Sequence, residues 1–281
     1  MNAKLSNQEF MLIQKKITQL TGIHIPQEKI FLIENKLTKL LSTFGYRSFL
    51  ELYYNLNNRS DNTLTQKIFE IATNHETMWF RDKTPWRVLE DVLLPLYLSE
   101  FDQGKRSQVR IWSAACSTGQ EPYSTAICIN NYLSCRGRLD LRRDFVLLAT
   151  DVSTSALATA KTGAYDSIAM ARGLTQTLKR KYFTQKSGTW VLNEKIKKMV
   201  QFKQFNLVAP FWPLGSFDVI LCRYVTIYFS DDVKVKFFNK ISKMPKPKGA
   251  LFLGNSEVFP NYKSGFIMEK HAGDVFYRSL N

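Results

Sequence analysis

The sequence contains few of the residues and segments that mark secreted, metal-binding or membrane-spanning proteins. It has four cysteines without a CxxC pair and three scattered histidines, which argues against disulfide cross-links and against a histidine-rich metal site. The longest apolar runs, 145–150 and 219–222, fall far below the roughly 20 residues that span a bilayer, and residues 1–10 include no apolar signal segment. We therefore expect a cytoplasmic protein with four reduced, mostly buried thiols, no bound metal and no insertion into a membrane.

Acidic residues are few relative to basic ones. The chain has 39 Lys and Arg residues against 24 Asp and Glu residues, which gives a formal net charge of +15. Such a charge favours a polyanionic partner, namely nucleic acid, an anionic membrane face or an acidic protein surface, and its sign alone does not choose among them. A general solubility and steering field without a dedicated patch accounts for the charge as well.

The first 72 residues have the periodicity of an all-helical domain. Ser6 and Glu9 form a predicted capping box that opens an apolar stripe ending at Gly22, and a second apolar stripe follows Pro26. Three lysines lie off the second stripe and form what we call the basic arc: Lys29, Lys36 and Lys39. This arc is either a solvated face or a surface that contacts a partner.

From about residue 107 short apolar strands alternate with helices, which predicts an α/β fold with a doubly wound, mostly parallel sheet. The predicted parallel strands are 109–112, 145–150, 199–205, 217–222 and 250–254, and 274–279 is predicted as a last, antiparallel strand. The segment PKPKG at 245–249 is expected to end the last helix and turn into a strand. The predicted domains are a helical domain over 1–72, a linker with a helix over 73–106, and the α/β domain over 107–281.

Ligands of open α/β sheets bind beyond the carboxyl ends of the strands. The loop at 113–122 has small residues and Gly119, but it is neither a GxGxxG fingerprint nor a P-loop, and a tight turn without a ligand explains it as well. Asp151 directly follows a strand, where its carboxylate either accepts hydrogen bonds from two ribose hydroxyls or caps the next helix. Together with 205–207 and 222–229, four strand ends carry polar or small residues. They predict an adenosine-containing ligand.

Six segments of the chain occur in the order and at about the spacing of one known family. They are TNHETMWFRD (73–82), IWSAACSTGQEPYS (111–124), ATDVSTSALATAKTGAY (149–165), FNL (205–207), FDVILCRYVTIYF (217–229) and GNSE (254–257). With these motifs, residues 5–280 resemble the CheR methyltransferases. The resemblance implies a class I methyltransferase sheet that binds S-adenosylmethionine, a linker with a TN-type motif, and a small antiparallel insertion near 188–192. It also implies a monomer that methylates glutamate side chains of chemoreceptors, giving glutamyl methyl esters.

The resemblance also implies the residues of the site. The cofactor-binding residues are His75, Thr77, Arg81, Glu121, Asp151, Asn206, Leu207, Tyr224 and Val225, and the catalytic residues are Arg81 and Tyr228. His75 and Tyr224 depart from the family, which usually has Asn at both positions. Arg81 and Tyr228 can each donate a hydrogen bond to a substrate carboxylate. The other interpretations are a surface ion pair for Arg81 and a core aromatic for Tyr228.

The resemblance further implies that the basic arc contacts the cytoplasmic domain of chemoreceptors. Whether a receptor tail peptide docks on the insertion near 188–192 stays open at this point. Two other functions remain as alternatives. A regulatory adaptor that binds the cofactor without turnover would explain Tyr224. A nucleic-acid methyltransferase would explain the charge, but NPPY-like and aromatic-rich RNA-reading motifs are absent from the sequence, so no nucleic-acid partner is expected.

Overall fold

The structure is a computed structural model that describes residues 4–58, 62–260 and 265–280. Its α-helices are α1 (Asn7–Thr21), α2 (Ile30–Phe44), α3 (Phe49–Asn57), α4 (Asn62–Ala72), α5 (Thr84–Val88), α6 (Leu94–Asp102), α7 (Gln120–Ser134), α8 (Thr154–Thr162), α9 (Ser167–Met170), α10 (Gln176–Tyr182), α11 (Glu194–Lys197) and α12 (Asp231–Ile241). Its strands are β1 (Val109–Ala114), β2 (Phe145–Asp151), β3 (Ala164–Tyr165), β4 (Phe183–Lys186), β5 (Thr189–Leu192), β6 (Val200–Gln204), β7 (Phe217–Leu221), β8 (Pro245–Phe252), β9 (Phe266–His271) and β10 (Asp274–Ser279). A π-helical turn over Leu89–Leu93 joins α5 to α6. Within the described residues, no helix is both long and apolar enough to cross a membrane.

Helices α1 to α4 share one apolar core at the amino terminus. Helix α1 begins at the predicted capping box, in which the Ser6 hydroxyl accepts the N–H of Glu9 and the Glu9 carboxylate accepts the N–H of Ser6. It ends at Gly22, whose φ of 78° is the left-handed conformation that glycine adopts without a Cβ clash. Most residues of the predicted apolar stripes of α1 and α2 are buried, while Leu20 and Ile30 are partly buried against the same core. The buried ones are Phe10, Ile13, Ile17, Ile33, Leu37, Leu40 and Leu41. The all-helical amino-terminal part is therefore confirmed.

Seven strands form one sheet in the order β6-β2-β1-β7-β8-β10-β9. Strands β6, β2, β1, β7 and β8 run parallel, whereas β10 is antiparallel to both of its neighbours, β8 and β9. The predicted doubly wound sheet with an antiparallel last strand is thus confirmed. The chain runs outward from β1 through β2 to β6 and then returns to β7 on the other side of β1. The switch in strand order therefore lies between β1 and β7.

Two details of the predicted sheet are wrong. Residues 245–249 do not end a helix but belong to β8, where Pro245 pairs with Phe217 and a bulge separates this pair from the next, Val219 with Ala250. The segment tolerates its two prolines because residues at a strand start or a bulge need not donate to the ladder. Strand β9 is an additional element that the sequence did not predict. It is the outer strand of a hairpin with β10, and its alternation of apolar and polar residues is weak.

Side chains cover both faces of the sheet. One buried cluster includes Trp79, Trp86 and Leu93 from the linker segment, which packs directly on the sheet. The other cluster contains Trp112 and Phe237 on the opposite face. Strands β3, β5 and β4 form a separate three-stranded antiparallel sheet, which confirms the predicted insertion near 188–192. The division into domains at 72 and 106 stays a prediction.

The four cysteines are free thiols, as expected. Three of them are buried and only Cys135 is exposed. Burial raises the pKa of the Cys116, Cys128 and Cys222 thiols well above its ordinary value. These thiols are therefore neutral packing residues at physiological pH.

Candidate active site

One cavity lies at the carboxyl ends of β1, β2, β6 and β7, at the switch in strand order. It is lined by all the residues that the resemblance implied: His75, Thr77, Arg81, Glu121, Asp151, Asn206, Leu207, Tyr224, Val225 and Tyr228. The end of α1 adds Thr21 and the next turn adds Ile23, so the helical part of the molecule forms some of the wall. The fold therefore brings the predicted residues together, while the role of each stays a prediction.

Asp151 is 6% exposed at the end of β2. Its Oδ2 accepts the N–H of Ser117 at 2.8 Å, and its Oδ1 accepts the N–H of Ser153 at 2.9 Å. The cap of α8 is supplied by the Ser153 hydroxyl, which accepts the N–H of Ala156, and not by Asp151. Burial raises the pKa of the Asp151 carboxyl, although these backbone N–H groups act in the opposite direction. A carboxylate has about four acceptor positions, so Asp151 keeps capacity for donors in the cavity.

A buried ion cluster joins three segments that line the cavity. Arg223 follows β7, and its side chain is 1% exposed. Its guanidinium donates to Glu121 Oε2 at 2.8 Å, to Asp82 Oδ2 at 2.7 Å and to the backbone carbonyl of Arg81. Glu121 also accepts the hydroxyl of Ser113 at 2.7 Å. Separating these partners would leave a buried charge without compensation, which is strongly destabilising. The cluster therefore holds the linker against the ends of β1 and β7.

Tyr224 turns its ring toward the linker. Its hydroxyl donates to Asp82 Oδ2 at 2.7 Å, and the guanidinium carbon of Arg81 lies 3.4 Å from the centroid of the ring. This is a stacked cation–π contact. Within the described residues, the Arg81 side chain makes one hydrogen bond, a long one of 3.5 Å to the carbonyl of Glu76. Arg81 therefore presents N–H donors that a ligand can use.

Tyr228 ends a 3-10 turn, Thr226–Tyr228, at the cavity wall. Its hydroxyl accepts Nδ2–H of Asn74 at 3.3 Å, which leaves the hydroxyl proton free for another acceptor. The backbone carbonyl of Tyr228 accepts the N–H of His24 at 2.8 Å, and Ile23 pairs with Phe229 in a β-bridge. Tyr228 is thus held by the linker and the helical part, and it is not a core aromatic.

The side chain of His75 faces α4. Its Nε2 lies 3.1 Å from the hydroxyl of Thr73 and 3.6 Å from Oε2 of Glu70. Glu70 in turn accepts the N–H of Ser155 at the start of α8 at 3.1 Å. Partial burial acts to raise the pKa of Glu70, but hydrogen bonds from Ser155 and Ser153 outweigh it and the pKa is lowered. His75 therefore belongs to a polar chain that ties α4 to the loop after Asp151.

Asn206 and Leu207 lie in the loop after β6. Asn206 Nδ2 donates to the carbonyl of Leu20 at 2.7 Å, and its Oδ1 accepts the N–H of Val208 at 3.1 Å. Leu207 is buried, and its carbonyl accepts Nζ of Lys240 at 2.6 Å. The Asn206 amide thus holds the end of α1 against this loop.

The segments that line the cavity contain an unusual number of left-handed residues other than glycine. They are Phe80 (φ 46°), Asp82 (φ 57°), Ala115 (φ 57°), Ser117 (φ 51°) and Tyr224 (φ 59°). Such conformations cost on the order of 1 to 3 kcal/mol each and persist only where surrounding contacts fix them. Their concentration in these loops is typical of a functional site.

Three charged residues of the site were not predicted from the sequence: Asp82, Arg223 and Glu257. Asp82 and Arg223 both lie inside the motifs quoted above. A buried arginine two residues after the all-buried strand β7 indicates a buried ion pair. Glu257, in the GNSE segment, is 7% exposed. It accepts backbone N–H groups of the loop after β7, which no pattern in the sequence reveals.

Comparison with known proteins identifies the family of the chain. The family model described as "CheR methyltransferase, SAM binding domain" matches residues 75–273. The chain belongs to this family. It is 36% identical over 275 residues to "Chemotaxis protein methyltransferase Cher2" of Pseudomonas putida, covering 97% of this chain and 98% of that protein. It is also 36% identical over 276 residues to "Chemotaxis protein methyltransferase 1" of Pseudomonas aeruginosa, covering 98% of each. The enzyme is thus an S-adenosylmethionine-dependent methyltransferase of chemotaxis.

The cavity fits S-adenosylmethionine. Asp151 keeps free acceptor positions at a strand end, where ribose hydroxyls bind in this class of fold. The loop after β1 comes close to α8, since a Cβ on Gly119 would lie 2.9 Å from the Cβ of Ala160. Leu207 and Phe205 give an apolar wall at the end of β6. These residues supply the hydrogen-bond acceptor and the apolar surface that an adenosine group requires.

Proposed function

We propose that the enzyme transfers a methyl group from S-adenosylmethionine to glutamate carboxylates of chemoreceptors, forming glutamyl methyl esters. The observation that carries the proposal is the stack of Arg81 on Tyr224, which fixes a guanidinium with unused donors in the cavity. The Tyr228 hydroxyl lines the same cavity and has a proton to donate. An acceptor that arrives as an anion suits these two donors.

A carboxylate substrate also suits the acids of the cavity, because each of the three acids that line it among the described residues is already held by protein groups. Backbone N–H groups hold Asp151, and Arg223 holds Glu121. Glu76 is paired with Arg172 at 3.0 Å. A glutamate side chain has an ordinary pKa of about 4.3 and is already ionised at neutral pH. It needs no proton removal, whereas a hydroxyl acceptor would need a base.

S-adenosylmethionine supplies an electrophilic methyl group when it is bound. In this proposal Asp151 holds the ribose, and Asn206 and Leu207 flank the adenine. His75, Thr77, Glu121, Tyr224 and Val225 surround the rest of the cofactor. Arg81 and Tyr228 orient the substrate carboxylate and exclude water from it, so that catalysis is mainly positioning. The Tyr224 ring fixes the Arg81 guanidinium without neutralising it, and the pairing with the carboxylate can therefore remain partial.

The basic arc is the proposed contact for the receptor. All three of its lysines are exposed on or beside α2. Phe31 and Leu32 lie among them in sequence and are 71% and 64% exposed. At about 100° per residue, Leu32 lies between Lys36 and Lys39 on the surface of α2. An exposed apolar side chain between lysines suits an amphipathic, acidic helix of a receptor. We expect one copy of the enzyme to act on one receptor site.

The test uses radiolabelled S-adenosylmethionine with membranes or receptor fragments from the source cell. We expect label on the receptor that is released as volatile methanol by alkali, as a carboxyl ester requires. Receptor fragments whose candidate glutamates are changed to alanine serve as the control and take no label. Alkali-stable label, or label on nucleic acid, would contradict the proposal. Cofactor binding with no transfer to any fraction would support the regulatory adaptor instead.

A further inference from the structure

The carboxylate of Glu257 binds a group of converging N–H donors next to the active site. Its Oε1 accepts the N–H of Val225 at 2.9 Å, and the N–H and hydroxyl of Thr226 at 2.7 and 2.8 Å. Its Oε2 accepts the N–H of Tyr224 at 2.5 Å and that of Gly254 at 2.8 Å. The side chain is buried, so water does not satisfy these donors. A single carboxylate therefore organises the whole loop after β7.

This loop has a geometry that needs an anion. Successive backbone N–H groups of Tyr224, Val225 and Thr226 point to one place, as they do in the backbone concavities that bind phosphates or other anions. Here the anion is the protein's own Glu257. Tyr224 has a φ of 59°, a left-handed conformation that is unfavourable for a residue other than glycine. The hydrogen bonds to Glu257 offset that cost, since hydrogen bonds to a charged acceptor are stronger than those between neutral groups.

The backbone of Tyr224 in turn determines where its side chain lies. The ring supports the Arg81 guanidinium at 3.4 Å, and the hydroxyl donates to Asp82 at 2.7 Å. If Tyr224 left its left-handed conformation, its ring would leave the guanidinium. Gly254 allows the close approach, because a Cβ there would lie 3.0 Å from the nitrogen of Tyr224 and 2.8 Å from Oε2 of Glu257.

We propose that Glu257 is a positioning residue of the methyltransferase: it holds Tyr224 in its left-handed conformation and thereby orients the Arg81 guanidinium toward the reacting carboxylate. The effect on rate rests on the proposed function, in which Arg81 orients the substrate. The effect of Glu257 on the position of the Arg81 side chain does not depend on the proposed function. A merely structural Glu257 would lower stability, cofactor affinity and rate together, whereas a positioning residue lowers the rate selectively.

The test compares Glu257→Gln and Glu257→Asp with Glu194→Gln, an exposed control on α11. Glu257→Gln keeps the size but replaces one oxygen by an N–H₂ group that faces backbone donors. We expect its single-turnover rate to fall by about tenfold or more, with affinity for S-adenosylhomocysteine by calorimetry changed by less than about threefold. Glu257→Asp keeps the charge and is expected to recover part of the rate. Glu194→Gln is expected to match the wild type. Parallel losses of affinity and rate in Glu257→Gln would overturn the proposal, as would no loss at all.

A second measurement follows Arg81 directly by NMR. The face of the Tyr224 ring shields the Arg81 Nε–H, so its proton signal lies upfield in the wild type and is expected to move downfield in Glu257→Gln. An unmoved signal would overturn the proposal. If Glu257→Gln does not fold, Glu257→Asp takes its place in this measurement. Failure of the wild type to methylate receptor glutamates would contradict the proposed function alone, because the signal of Arg81 still reports on Glu257.

A double variant tests whether Glu257 affects the rate through Arg81. If Glu257 acts through Arg81, adding Glu257→Gln to Arg81→Ala costs less than about twofold in rate beyond Arg81→Ala alone. Rate losses that multiply in full would mean that Glu257 acts by another route, and the proposal would be wrong.

Discussion

The Tyr224 side chain occupies a place where the family usually has an asparagine, and two contacts account for it. Its ring lies on the Arg81 guanidinium, and its hydroxyl reaches Asp82. A cation–π contact of this kind contributes about 0.5 to 2 kcal/mol, which is small for the fold. It is large for the orientation of one side chain, because a guanidinium on a flexible stem otherwise has many rotamers.

The Asp151 carboxylate gives the sharpest test of the cofactor site. We expect Asp151→Ala to weaken S-adenosylhomocysteine binding by more than about tenfold, because hydrogen bonds to a charged acceptor contribute about 1.5 to 3 kcal/mol each. Titration calorimetry measures the loss, and a thermal melt shows whether the variant is folded, since Ser117 and Ser153 also lose their acceptor. Asp140→Ala, an exposed aspartate, is the control. Unchanged affinity in Asp151→Ala would remove this residue from the site.

Arg81 is expected to act on the transfer step more than on cofactor affinity. Arg81→Ala should lower the single-turnover rate by about tenfold to a hundredfold with modest loss of binding, because a donor aimed at the reacting carboxylate contributes to positioning. Arg81→Lys should recover only part of the rate, since a point charge lacks the planar fork that lies on Tyr224. Calorimetry and quenched single turnovers on both variants decide the matter. Loss of cofactor binding in Arg81→Ala would place Arg81 in the cofactor pocket and refute the orienting role.

At the scale of helices and strands, the apolar pattern predicts the elements whose burial repeats along the chain. The stripes of α1 and α2, and the apolar runs of β1, β2 and β7, have this property. Strand β9 could not be predicted in this way because its apolar and polar residues do not alternate regularly. It forms because its backbone pairs with β10. The prolines of β8 favoured a turn in the prediction because proline cannot donate to a strand ladder. The bulge that accommodates them forms only in the folded sheet, so the sequence does not reveal it.

The same limit applies to the site. Strand topology predicts which loops meet, since ligands bind beyond the carboxyl ends at the switch in strand order. It does not predict which side chains those loops use for their own support. Asn206 donates to the carbonyl of Leu20, 186 positions away, and Glu257 accepts hydrogen bonds from a loop 30 to 33 positions before it. Such contacts depend on the packed fold and have no local signal.

Helix α12 holds the loop after β6 through Lys240. Its Nζ donates to the carbonyls of Leu207 at 2.6 Å and Ala209 at 2.9 Å, and it lies 4.4 Å from the Phe211 ring. Burial lowers the pKa of Lys240 to about 8. In the unfolded chain the amine has its ordinary pKa of about 10.4. Between these values the unfolded state binds more protons, so stability should rise as pH increases through this window.

Lys240→Met tests this sign. We expect the free energy of unfolding of the wild type, minus that of Lys240→Met, to increase from about pH 7.5 to about pH 9.5, as measured by urea denaturation. Groups that titrate in both proteins cancel in the difference. Lys236→Met, at an exposed position of the same helix, serves as the control and should show no such trend. A difference that is constant with pH would show that burial does not lower the pKa of Lys240.

At the scale of the whole molecule, the helical part and the sheet are joined at the cavity itself. The β-bridge of Ile23 with Phe229 and the bond from His24 to Tyr228 connect the turn after α1 to the loop after β7. Glu70 joins α4 to the serines that follow Asp151. A receptor that docks on α2 would therefore dock on a body that is continuous with the active site. The net charge is then expected to affect the association of enzyme and receptor more than the methyl-transfer step.

The basic arc is expected to steer the encounter with the receptor. Changing Lys29, Lys36 and Lys39 together to Glu should slow methylation at low receptor concentration and leave the single-turnover rate at saturating receptor nearly unchanged, because steering charges act on association. The wild-type rate should also fall as salt shortens the screening length to about 8 Å near 0.15 M.

The matched control changes Lys105, Lys243 and Lys270 to Glu, three exposed lysines in other parts of the fold. Each replacement changes the charge by two, so both triple variants lower the formal net charge from +15 to +9. A receptor that recognises the basic arc is slowed by the first variant much more than by the second. If both variants slow methylation equally, the overall field of the molecule attracts the receptor and the arc has no special part. If neither does, and salt has no effect, the receptor is recognised by contacts other than charge.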